Sequence, residues 1–360
     1  MTRVLVVNPY GIGDVLATLP LVRALRAAYS TGRVGFLCNR RTESVVQEFP
    51  GLDEVIVFEK DEFRRLWREH RGQWISAVRR LAATVRRGRW DVAIDLSLNW
   101  QFGAALKLLG IPMRCGFDFR GRGRFLTQRL PLEGFSNRHV ADYYLDVLQL
   151  LDLPRPTDHS LELPIGDETR READAWLTQQ GITPARPIVA LVPGGGASWG
   201  PNASAKQWPP QQFAILTERL QQQSPGAQLV LIGDAADQPI CRAVAAAARS
   251  SITMLNPAPS LHLLAGVLAQ CQLVIGNDSG ALHLAVAIGT PSVTIFGPAS
   301  PVVYGPWTTA TERHRVAVKN VPCRPCYDRF RLPPCPWEHR CLTTLDPDEV
   351  YAIARPLLAA

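Results

Sequence analysis

The sequence lacks three features that would set it apart from ordinary soluble globular proteins. It has no uninterrupted apolar run of about 20 residues, the length needed to cross a bilayer. It has no repeat at a solenoid period, and its 27 glycines and 29 prolines follow no periodic pattern, which excludes a collagen-like chain. Charge is also scarce in one place, because Asp278 is the only charged residue between Arg249 and Glu312. Glycines and prolines divide this stretch, so it predicts buried strands and helices.

The composition favours a folded protein of two domains. Hydrophobic residues make up 46% and charged residues 20% of the chain, which excludes a disordered polymer. A length of 360 residues is too great for one ordinary core. We expect no signal peptide, because Gly11 and Gly13 interrupt the apolar N-terminus and charged residues flank it. The sequence therefore predicts a soluble, cytoplasmic protein whose eight cysteines are reduced.

Short β-rich runs alternate with helical patterns along the first third of the chain. Such alternation predicts a parallel sheet that is covered by helices. The predicted strands are Val4–Asn8, Val34–Leu37, Val55–Phe58 and Val92–Leu96. The predicted helices cover Val15–Tyr29 and the arginine-rich segment from Arg64 to Arg89.

The pattern restarts after Pro164, where four further β-rich runs each end in a glycine-containing turn. These runs are Ile188–Val192, Leu229–Ile232, Leu273–Ile275 and Ser292–Phe296. Open parallel sheets bind ligands at the carboxyl ends of their strands. The sequence therefore predicts an α/β protein with two doubly wound domains, residues 1–170 and 171–360, that face a central cleft.

A glycine-rich turn follows the first predicted strand and opens the first predicted helix. It reads Gly11-Ile-Gly13-Asp14, and because position 16 is Leu the third glycine of a dinucleotide fingerprint is missing. The two glycines still permit a tight turn. Asp14 has two interpretations: it is an N-cap or first-turn acid of the helix, or a carboxylate that accepts a proton from a substrate.

The turn after Leu273–Ile275 carries the stronger pattern, Gly276-Asn-Asp-Ser-Gly280 followed by His283. The amides of Ser279 and Gly280 would open a helix and form an anion site. Asp278 needs donors or a cation if it is buried. The alternatives are that Asp278 merely caps the helix and that His283 is an ordinary core histidine.

A loop with a lysine follows the turn Pro193-Gly194-Gly-Gly196. Lys206 is predicted above the same sheet edge as Ser279, where its amine can reach a phosphate. The alternative is a solvated surface lysine. Together with the Ser279 and Gly280 amides, Lys206 predicts a diphosphate pocket that has no obvious pair of metal-binding carboxylates.

Four cysteines are clustered within residues 323–341, near the C-terminus. Cys323 and Cys326 form a CxxC pair, and Cys335 and Cys341 follow. This spacing is typical of a tetrahedral zinc or iron site, and its proline-rich context favours a structural role. Reduced thiols packed in a loop are the alternative.

Taken together, these motifs resemble glycosyltransferase family 9, the ADP-heptose:lipopolysaccharide heptosyltransferases. The resemblance covers nearly the whole chain and implies the GT-B architecture, in which two Rossmann-like domains face a cleft. The matching motifs are Gly11-x-Gly-Asp-x-Leu16, Trp90-Asp-x-x-x-Asp95, Pro193-Gly with Lys206-x-Trp-Pro209, Gly276-Asn-Asp-Ser-Gly-x-x-His283, Gly289-Thr-Pro291 and Phe296-Gly-Pro298.

The resemblance implies an inverting transfer reaction and a role for each main site residue. Asp14 would be the general base that takes the proton from the acceptor hydroxyl, and attack on the anomeric carbon would displace ADP without a metal cofactor. Lys206 and the amides of Ser279 and Gly280 would hold the diphosphate. Asp278 would touch the sugar or order this loop.

Further donor-site residues follow from the same resemblance. His283 would complete the donor pocket, and Asp237, or Asp234 in its place, would bind the ribose. Ser279 replaces the threonine of well-known members and keeps the hydroxyl group. Some members carry a C-terminal cysteine cluster, so the four cysteines would hold a structural zinc or iron.

The resemblance also suggests why the chain carries a net charge of +7. Many arginines lie in the half that would bind the acceptor, and the phosphorylated inner core of lipopolysaccharide is anionic, as is the membrane face beside it. The alternative for most of these arginines is that they lie on the solvent-exposed face of a helix.

We expect ADP-heptose as donor, lipopolysaccharide core as acceptor, a peripheral contact with the inner membrane and no nucleic acid. Transfer to a protein adhesin and a non-catalytic nucleotide-binding module are the alternative functions.

Overall fold

The computed structural model describes residues 1–157 and 161–358, except the side chains at positions 197, 198 and 201. The chain forms two compact units. The first comprises Met1–Phe135 with Val140–His159, and the second comprises Ser136–His139 with Ser160–Ala360. No helix among the described residues has both the length and the apolar character that a membrane crossing requires.

The first unit is built on a six-stranded sheet in which each neighbouring pair of strands is parallel, in the order β3-β2-β1-β4-β5-β6. Its strands are β1 (Arg3–Val7), β2 (Arg33–Cys38), β3 (Glu54–Val57), β4 (Val92–Asp95), β5 (Met113–Phe119) and β6 (Gln128–Leu132). Its α-helices are α1 (Ile12–Ala28), α2 (Glu43–Gln47), α3 (Lys60–Glu69), α4 (Arg71–Arg87), α5 (Trp100–Leu108) and α6 (Val140–Asp146). The strand order reverses between β1 and β4, and such a switch point is where doubly wound sheets bind ligands.

The second unit repeats this plan with the parallel order β12-β11-β10-β7-β8-β9. Its strands are β7 (Ile188–Val192), β8 (Gln228–Ile232), β9 (Ile252–Leu255), β10 (Leu273–Asn277), β11 (Ser292–Phe296) and β12 (His314–Val318). Its α-helices are α7 (Asp167–Gln179), α8 (Pro210–Gln223), α9 (Gln238–Ala247), α10 (Leu261–Gln270), α11 (Gly280–Ala287), α12 (Pro301–Tyr304), α13 (Arg340–Thr343) and α14 (Pro347–Leu358). Here the order reverses between β7 and β10.

The prediction of two doubly wound α/β domains is confirmed, and all eight predicted strands are present. The strands that the sequence did not reveal are β5, β6, β9 and β12. Three of these are edge strands and the fourth adjoins an edge. Edge strands mix polar with apolar residues, and β6 even contains Pro131, which an edge tolerates because no neighbour needs its amide.

Burial on both faces explains why the central strands were easy to recognise. All four residues of Val4–Val7 in β1 are inaccessible to solvent, and the residues of β10 are all buried as well. Apolar side chains of α1, among them Val15, Leu16 and Leu19, are equally buried. A strand covered by helices on both sides reads as a continuous apolar run. This packing fixes where each central strand ends and therefore where the following turn lies.

Strand β4 ends in a buried acid, Asp95. The Asp95 carboxylate accepts a hydrogen bond from the Ser97 amide at 2.9 Å, and the Ser97 carbonyl accepts one from the Tyr10 hydroxyl. Tyr10 thereby ties the turn after β1 to the turn after β4. Burial raises the pKa of Asp95 to about 6, although the hydrogen bonds with Ser97 oppose this shift.

The raised pKa of Asp95 predicts that the stability of the protein depends on pH. The folded state binds the proton more tightly than the unfolded chain, in which the pKa has its ordinary value of 3.8. The free energy of unfolding should therefore fall as the pH rises from about 4 to about 6, by as much as about 3 kcal/mol. Asp95→Asn removes this titration and keeps an oxygen for the Ser97 amide, so urea unfolding should find the variant more stable than wild type at pH 7 and similar at pH 4.

Asp61→Asn provides the matched control for this measurement, because Asp61 is an exposed acid on α3 of the same unit. It should keep the wild-type dependence on pH. If Asp95→Asn shows the same loss of stability between pH 4 and pH 6 as wild type, the Asp95 carboxyl is not the group that titrates.

Candidate functional site

Asp14 lies in the first turn of α1, directly after the switch-point strand β1. Gly11 is the N-cap residue and the helix begins at Ile12, so Gly13 and Asp14 are its second and third residues. Asp14 is therefore a first-turn acid and not the N-cap. Its side chain is partly accessible to solvent at the carboxyl edge of the sheet.

A buried asparagine, which the sequence analysis did not single out, holds this turn in place. The Asn8 carboxamide donates to the Asp14 carbonyl oxygen at 3.2 Å and to the Thr18 hydroxyl at 2.8 Å. Its own oxygen accepts from the Tyr10 amide at 3.3 Å. Asn8 is fully buried. A polar residue at the end of an otherwise apolar run is the pattern that would have indicated it.

The phenol of Tyr10 is close to two acids of this edge. Burial, and then the negative charges of Asp14 and Asp95, raise the pKa of Tyr10, while Arg122 opposes them. Tyr10 therefore stays a neutral hydrogen-bonding group. The edge combines one partly exposed carboxylate with neutral hydroxyl groups, an arrangement that can bind a hydroxyl-bearing ligand and accept its proton.

In the second unit the structure brings Lys206, Asp278 and His283 together. The Lys206 ammonium lies 2.7 Å from Asp278 Oδ2, and both side chains are about 94% buried. His283 Nε2 lies 3.4 Å from the other carboxylate oxygen. Lys206 is therefore not a solvated surface lysine, and Asp278 is not simply a helix cap. The residues meet because the loop after β7 folds over the end of its neighbour β10.

The charges of this cluster stabilise one another. Burial by itself would raise the pKa of Asp278, but the Lys206 ammonium and the hydrogen bond with His283 outweigh it and lower the pKa below its ordinary value. Asp278 is therefore ionised at neutral pH. The carboxylate in turn fixes the position of the Lys206 ammonium.

Ser279 is the N-cap residue of α11 and lies beside this ion pair. Its backbone is extended and its side chain makes no capping hydrogen bond. Within the described part of the chain, the buried Ser279 hydroxyl has no hydrogen-bond partner. The first amides of a helix also lack intrahelical partners and carry its positive dipole end. Gly280, the first residue of α11, and Ser279 therefore form one side of an anion site next to a lysine.

Asn277 anchors the loop that carries Lys206. Its side chain donates to the Pro193 carbonyl oxygen at 2.7 Å and accepts from the Trp208 amide at 3.1 Å. The Trp208 indole is fully buried and donates to the Leu345 carbonyl oxygen at 3.0 Å. The turn after β7 and the end of the lysine loop are thus both fixed to the end of β10.

Asp237 lies at the neighbouring turn, between β8 and α9. It packs so closely on Gly194 that a Cβ atom at position 194 would collide with its carboxyl group. Burial, together with the nearby charge of Asp234, raises the pKa of Asp237 to about 6, although hydrogen bonds from the Asp234 and Gly195 amides oppose this. Asp234 itself is exposed and accepts from the Ala236 amide. The turns after β7, β8 and β10 therefore share one edge.

Two aromatic rings extend the cluster and were also missed from the sequence. The Lys206 ammonium lies 4.7 Å from the centroid of the Trp199 ring, which is a favourable cation–π arrangement. The Trp199 ring in turn lies 4.4 Å from the ring of Tyr327. The amides of Cys326 and Tyr327 both donate to the Pro298 carbonyl oxygen at 3.0 Å, in the turn after β11. The cysteine-rich segment thus reaches the Lys206 cluster.

The predicted zinc or iron site is not supported. Within residues 1–157 and 161–358, no group of three or more His, Cys, Asp or Glu side chains is arranged to hold a metal ion. Cys341 is buried in the apolar core under the sheet, and burial raises the pKa of its thiol to about 11. Cys323, Cys326 and Cys335 lie in the partly exposed loop. Burial, and then the neighbouring thiols of Cys335 and Cys323, raise the pKa of Cys326, so these cysteines lie near one another, but within the described residues they form no group that could hold a metal.

The chain matches a family model and several known proteins. The model described as "Glycosyltransferase family 9 (heptosyltransferase)" matches residues 78–332. Lipopolysaccharide heptosyltransferase 2 of Salmonella typhimurium is 27% identical over 310 residues, which is 83% of this chain and 84% of that protein.

Solved structures agree in fold. The family 9 glycosyltransferase of Veillonella parvula superposes with a TM-score of 0.81 at 23% identity and covers 99% of this chain and 97% of its own. The E. coli ADP-heptose lipopolysaccharide heptosyltransferase II superposes with a TM-score of 0.77 at 22% identity and covers 99% of both chains. The two parallel sheets described above are the two α/β domains of the GT-B architecture. The chain therefore belongs to glycosyltransferase family 9, the heptosyltransferases, and is a glycosyltransferase.

Proposed function

We propose that this enzyme transfers a heptose from ADP-heptose to the inner core of lipopolysaccharide with inversion at the anomeric carbon. The observation that carries the proposal is the buried Lys206–Asp278 ion pair beside the N-terminus of α11. Relatives named as lipopolysaccharide heptosyltransferases support the acceptor, and a structural neighbour named for ADP-heptose supports the donor. The second unit would bind the donor and the first unit the acceptor.

The donor diphosphate would bind between the Lys206 ammonium and the first amides of α11. Asp278 already balances the charge of Lys206, so its part is to hold the amine in place and keep it charged. The Ser279 hydroxyl, which lacks a partner within the described residues, would donate to a phosphate oxygen. As the bond from the sugar to ADP breaks, negative charge grows on the diphosphate, and these preorganised donors stabilise it.

Other residues of the second unit would orient the rest of the donor. Asp237, at the next turn along the edge, would accept hydrogen bonds from the ribose hydroxyls. His283 is partly accessible to solvent and touches Asp278, so it would donate to the diphosphate or to the sugar. Gly194 would keep the turn after β7 close to Asp237.

Asp14 would act as the general base. Its carboxylate takes the proton from the acceptor hydroxyl, whose oxygen forms a bond with the anomeric carbon while the bond to the ADP oxygen breaks. The proton ends on Asp14 and the electron pair leaves with ADP. Because attack occurs opposite to the leaving group, the configuration inverts. Asn8 would hold the first turn of α1 for this step through the Asp14 carbonyl oxygen.

The transfer reaction itself tests the proposal. With ADP-heptose and lipopolysaccharide that ends before the heptose to be added, wild type should release ADP and extend the acceptor. Asp14→Asn should lower this rate by about 10²–10⁴-fold, because no base takes the hydroxyl proton, and calorimetry should find ADP binding unchanged. Glu43→Gln, which alters the first-turn acid of α2, should retain normal transfer.

Several outcomes would contradict the proposal in distinct ways. Near-normal turnover of Asp14→Asn would remove Asp14 as the base. Equal use of ADP-glucose or of UDP- and GDP-sugars would contradict the donor. Transfer to an adhesin protein but not to lipopolysaccharide would favour the alternative acceptor, and ADP binding without any transfer would favour a non-catalytic module.

Lys206 is the residue on which donor affinity should depend most. Lys206→Met should weaken ADP binding by about tenfold or more in calorimetry, since a hydrogen bond to a charged group is lost. The single variant leaves Asp278 buried without a cation, which can cost stability. The double variant Lys206→Met/Asp278→Asn avoids this and should still bind ADP weakly.

Lys319→Met is the matched control. It removes a comparable but more exposed ion pair with Glu349 and should bind ADP normally. Unchanged affinity in both Lys206 variants would exclude Lys206 from the donor site.

The cysteine-rich segment would support the donor site through Tyr327. Its ring packs on Trp199, and Trp199 lies over the Lys206 ammonium. Tyr327→Ala should therefore raise the Kd for ADP, while Tyr327→Phe, which keeps the ring, should restore wild-type affinity in the same calorimetric assay. Equal weakening in both variants would show that the hydroxyl, and not ring packing, is required. Wild-type affinity in Tyr327→Ala would show that this contact does not support the site.

A further inference from the structure

Four turns follow one another along the carboxyl edge of the second sheet, in an order set by its strand order β10-β7-β8-β9. Ser279 follows β10, the lysine loop follows β7, Asp237 follows β8 and Asn256 follows β9. Neighbouring strands lie about 4.8 Å apart, so three such spacings, about 14 Å, separate the first of these turns from the last. The edge is therefore long enough to contact several parts of one extended ligand.

Asn256 lies at the β9 end of this edge, directly after Leu255, the last residue of the strand. Its Nδ2 atom donates to the Asp234 carbonyl oxygen at 2.8 Å. The Gly233 amide donates to the Leu255 carbonyl oxygen at 3.3 Å, and the Ala258 amide donates to the Gly233 carbonyl oxygen at 3.1 Å. These three hydrogen bonds fasten the turn after β9 to the turn after β8 and hold the Asn256 carboxamide in place.

The Asn256 Oδ1 atom is an acceptor, and its assignment follows from the hydrogen bond of Nδ2. Because Nδ2 faces a carbonyl oxygen, which only accepts, the two ends of the amide cannot be exchanged. Within the described part of the chain, the buried Oδ1 atom has no hydrogen-bond partner. Buried polar atoms are nearly always paired, because an unpaired one is unfavourable. Asn256 Oδ1 therefore indicates a ligand that supplies a hydrogen-bond donor.

The Asn256 carboxamide lies beside the residue that is proposed to bind the ribose. A Cβ atom at Gly233 would lie 2.6 Å from Asn256 Nδ2 and 2.9 Å from Asp237 Cβ, so both side chains border the same point of the turn. Pro257 and Pro259 are exposed and offer apolar ring surface next to the amide. A flat group that is attached to a ribose at Asp237 would meet both this surface and Oδ1.

The hydrogen-bonding chemistry of the edge changes from one end to the other. At β10 and β7, the α11 amides, the Ser279 hydroxyl and the Lys206 ammonium are donors, which suit a phosphate. At β8, Asp237 is an acceptor, which suits the hydroxyl groups of a ribose. At β9, Asn256 Oδ1 is also an acceptor, and it suits the amine of a base. Phosphate, ribose and base are joined in this order in ADP, so the strand order matches the order of its parts.

We propose that Asn256 recognises the base of the donor by accepting a hydrogen bond from the N6 amine of adenine at Oδ1. The inference rests on the proposed function, since it assumes that the diphosphate binds at Lys206 and the ribose at Asp237. Adenine presents an amine at this position, whereas guanine presents O6 and thymine, like uracil, presents O4. These oxygens are acceptors and leave Oδ1 without a donor. Asn256 thus makes the site selective for adenine over guanine and uracil.

Calorimetry with ADP and two analogues tests the proposal. Purine riboside 5′-diphosphate lacks the amine, and inosine 5′-diphosphate carries a carbonyl oxygen in its place. Wild type should bind purine riboside diphosphate about 3- to 10-fold more weakly than ADP, the effect of one neutral hydrogen bond, and inosine diphosphate more weakly still. Asn256→Ala should bind ADP and purine riboside diphosphate equally, because the acceptor for the amine is gone.

Further variants separate recognition of the base from support of the turn. Asn256→Ala also removes the hydrogen bond to the Asp234 carbonyl oxygen and can weaken the binding of every ligand, so the preference for the amine is the readout that reports on Oδ1. Asn256→Asp keeps an acceptor oxygen and should keep the preference for ADP over purine riboside diphosphate. Asn320→Ala is the matched control, because Asn320 is an exposed asparagine just after β12, at the opposite end of the sheet. It should bind all three ligands as wild type does.

The proposal is overturned if wild type binds the three ligands equally, or if Asn256→Asp loses the preference for ADP. It is also overturned if Asn256→Ala weakens all three by the same factor and keeps the preference, which would assign Asn256 to the turn alone. These measurements need no acceptor. Preference for the amine without heptosyl transfer would therefore contradict only the proposed function, whereas a wild type that does not bind ADP would contradict both.

Discussion

The second unit is organised by the need to neutralise one buried carboxylate. Asp278 is the only charge in a long stretch of the chain, and an unpaired carboxylate in that position would be very costly. The loop after β7 supplies the cation, because Lys206 approaches to 2.7 Å. That contact requires the loop to fold over the end of β10, where Asn277 holds both of its ends through Pro193 and Trp208. The ion pair, the lysine loop and the start of α11 are therefore one connected structure.

In both units, the backbone groups at the end of a switch-point strand need hydrogen-bond partners. The chain turns away from the sheet there, so backbone amides and carbonyls no longer have partners in a neighbouring strand and must find them elsewhere. Asn8, directly after β1, and Asn277, at the end of β10, are fully buried and supply both a donor and an acceptor. Each fixes the turn that carries a proposed site residue, Asp14 in one unit and Lys206 in the other. The two units thus share both their fold and the use of a buried asparagine to fix the turn at the carboxyl edge of the sheet.

The cysteine-rich segment contains a strong sequence pattern that the described residues do not support as a metal site. The spacing of Cys323, Cys326, Cys335 and Cys341 is typical of a metal site, yet spacing does not specify where each thiol points. Cys341 is buried in the apolar core with Leu342 and Leu345, and the other three thiols lie in the partly exposed loop, near enough to help raise the pKa of Cys341. The contact that the segment does make is aromatic, from Tyr327 to Trp199. No periodicity or spacing in the sequence indicates that pair.

The sequence by itself determined the α/β class, the eight more apolar strands and the turns that carry Asp14, Lys206, Asp237 and Asp278. It could do so because strands buried on both faces read as continuous apolar runs and because glycine-rich turns follow them. Only the tertiary structure decided which of these residues meet. Lys206 pairs with Asp278 because β7 and β10 are neighbours, and strand order is set by long-range packing that leaves no local pattern. The edge strands β6, β9 and β12 were not predicted because their residues are partly polar and lack a continuous apolar run. They form strands because each pairs with a neighbouring strand, and that pairing is also decided by long-range packing.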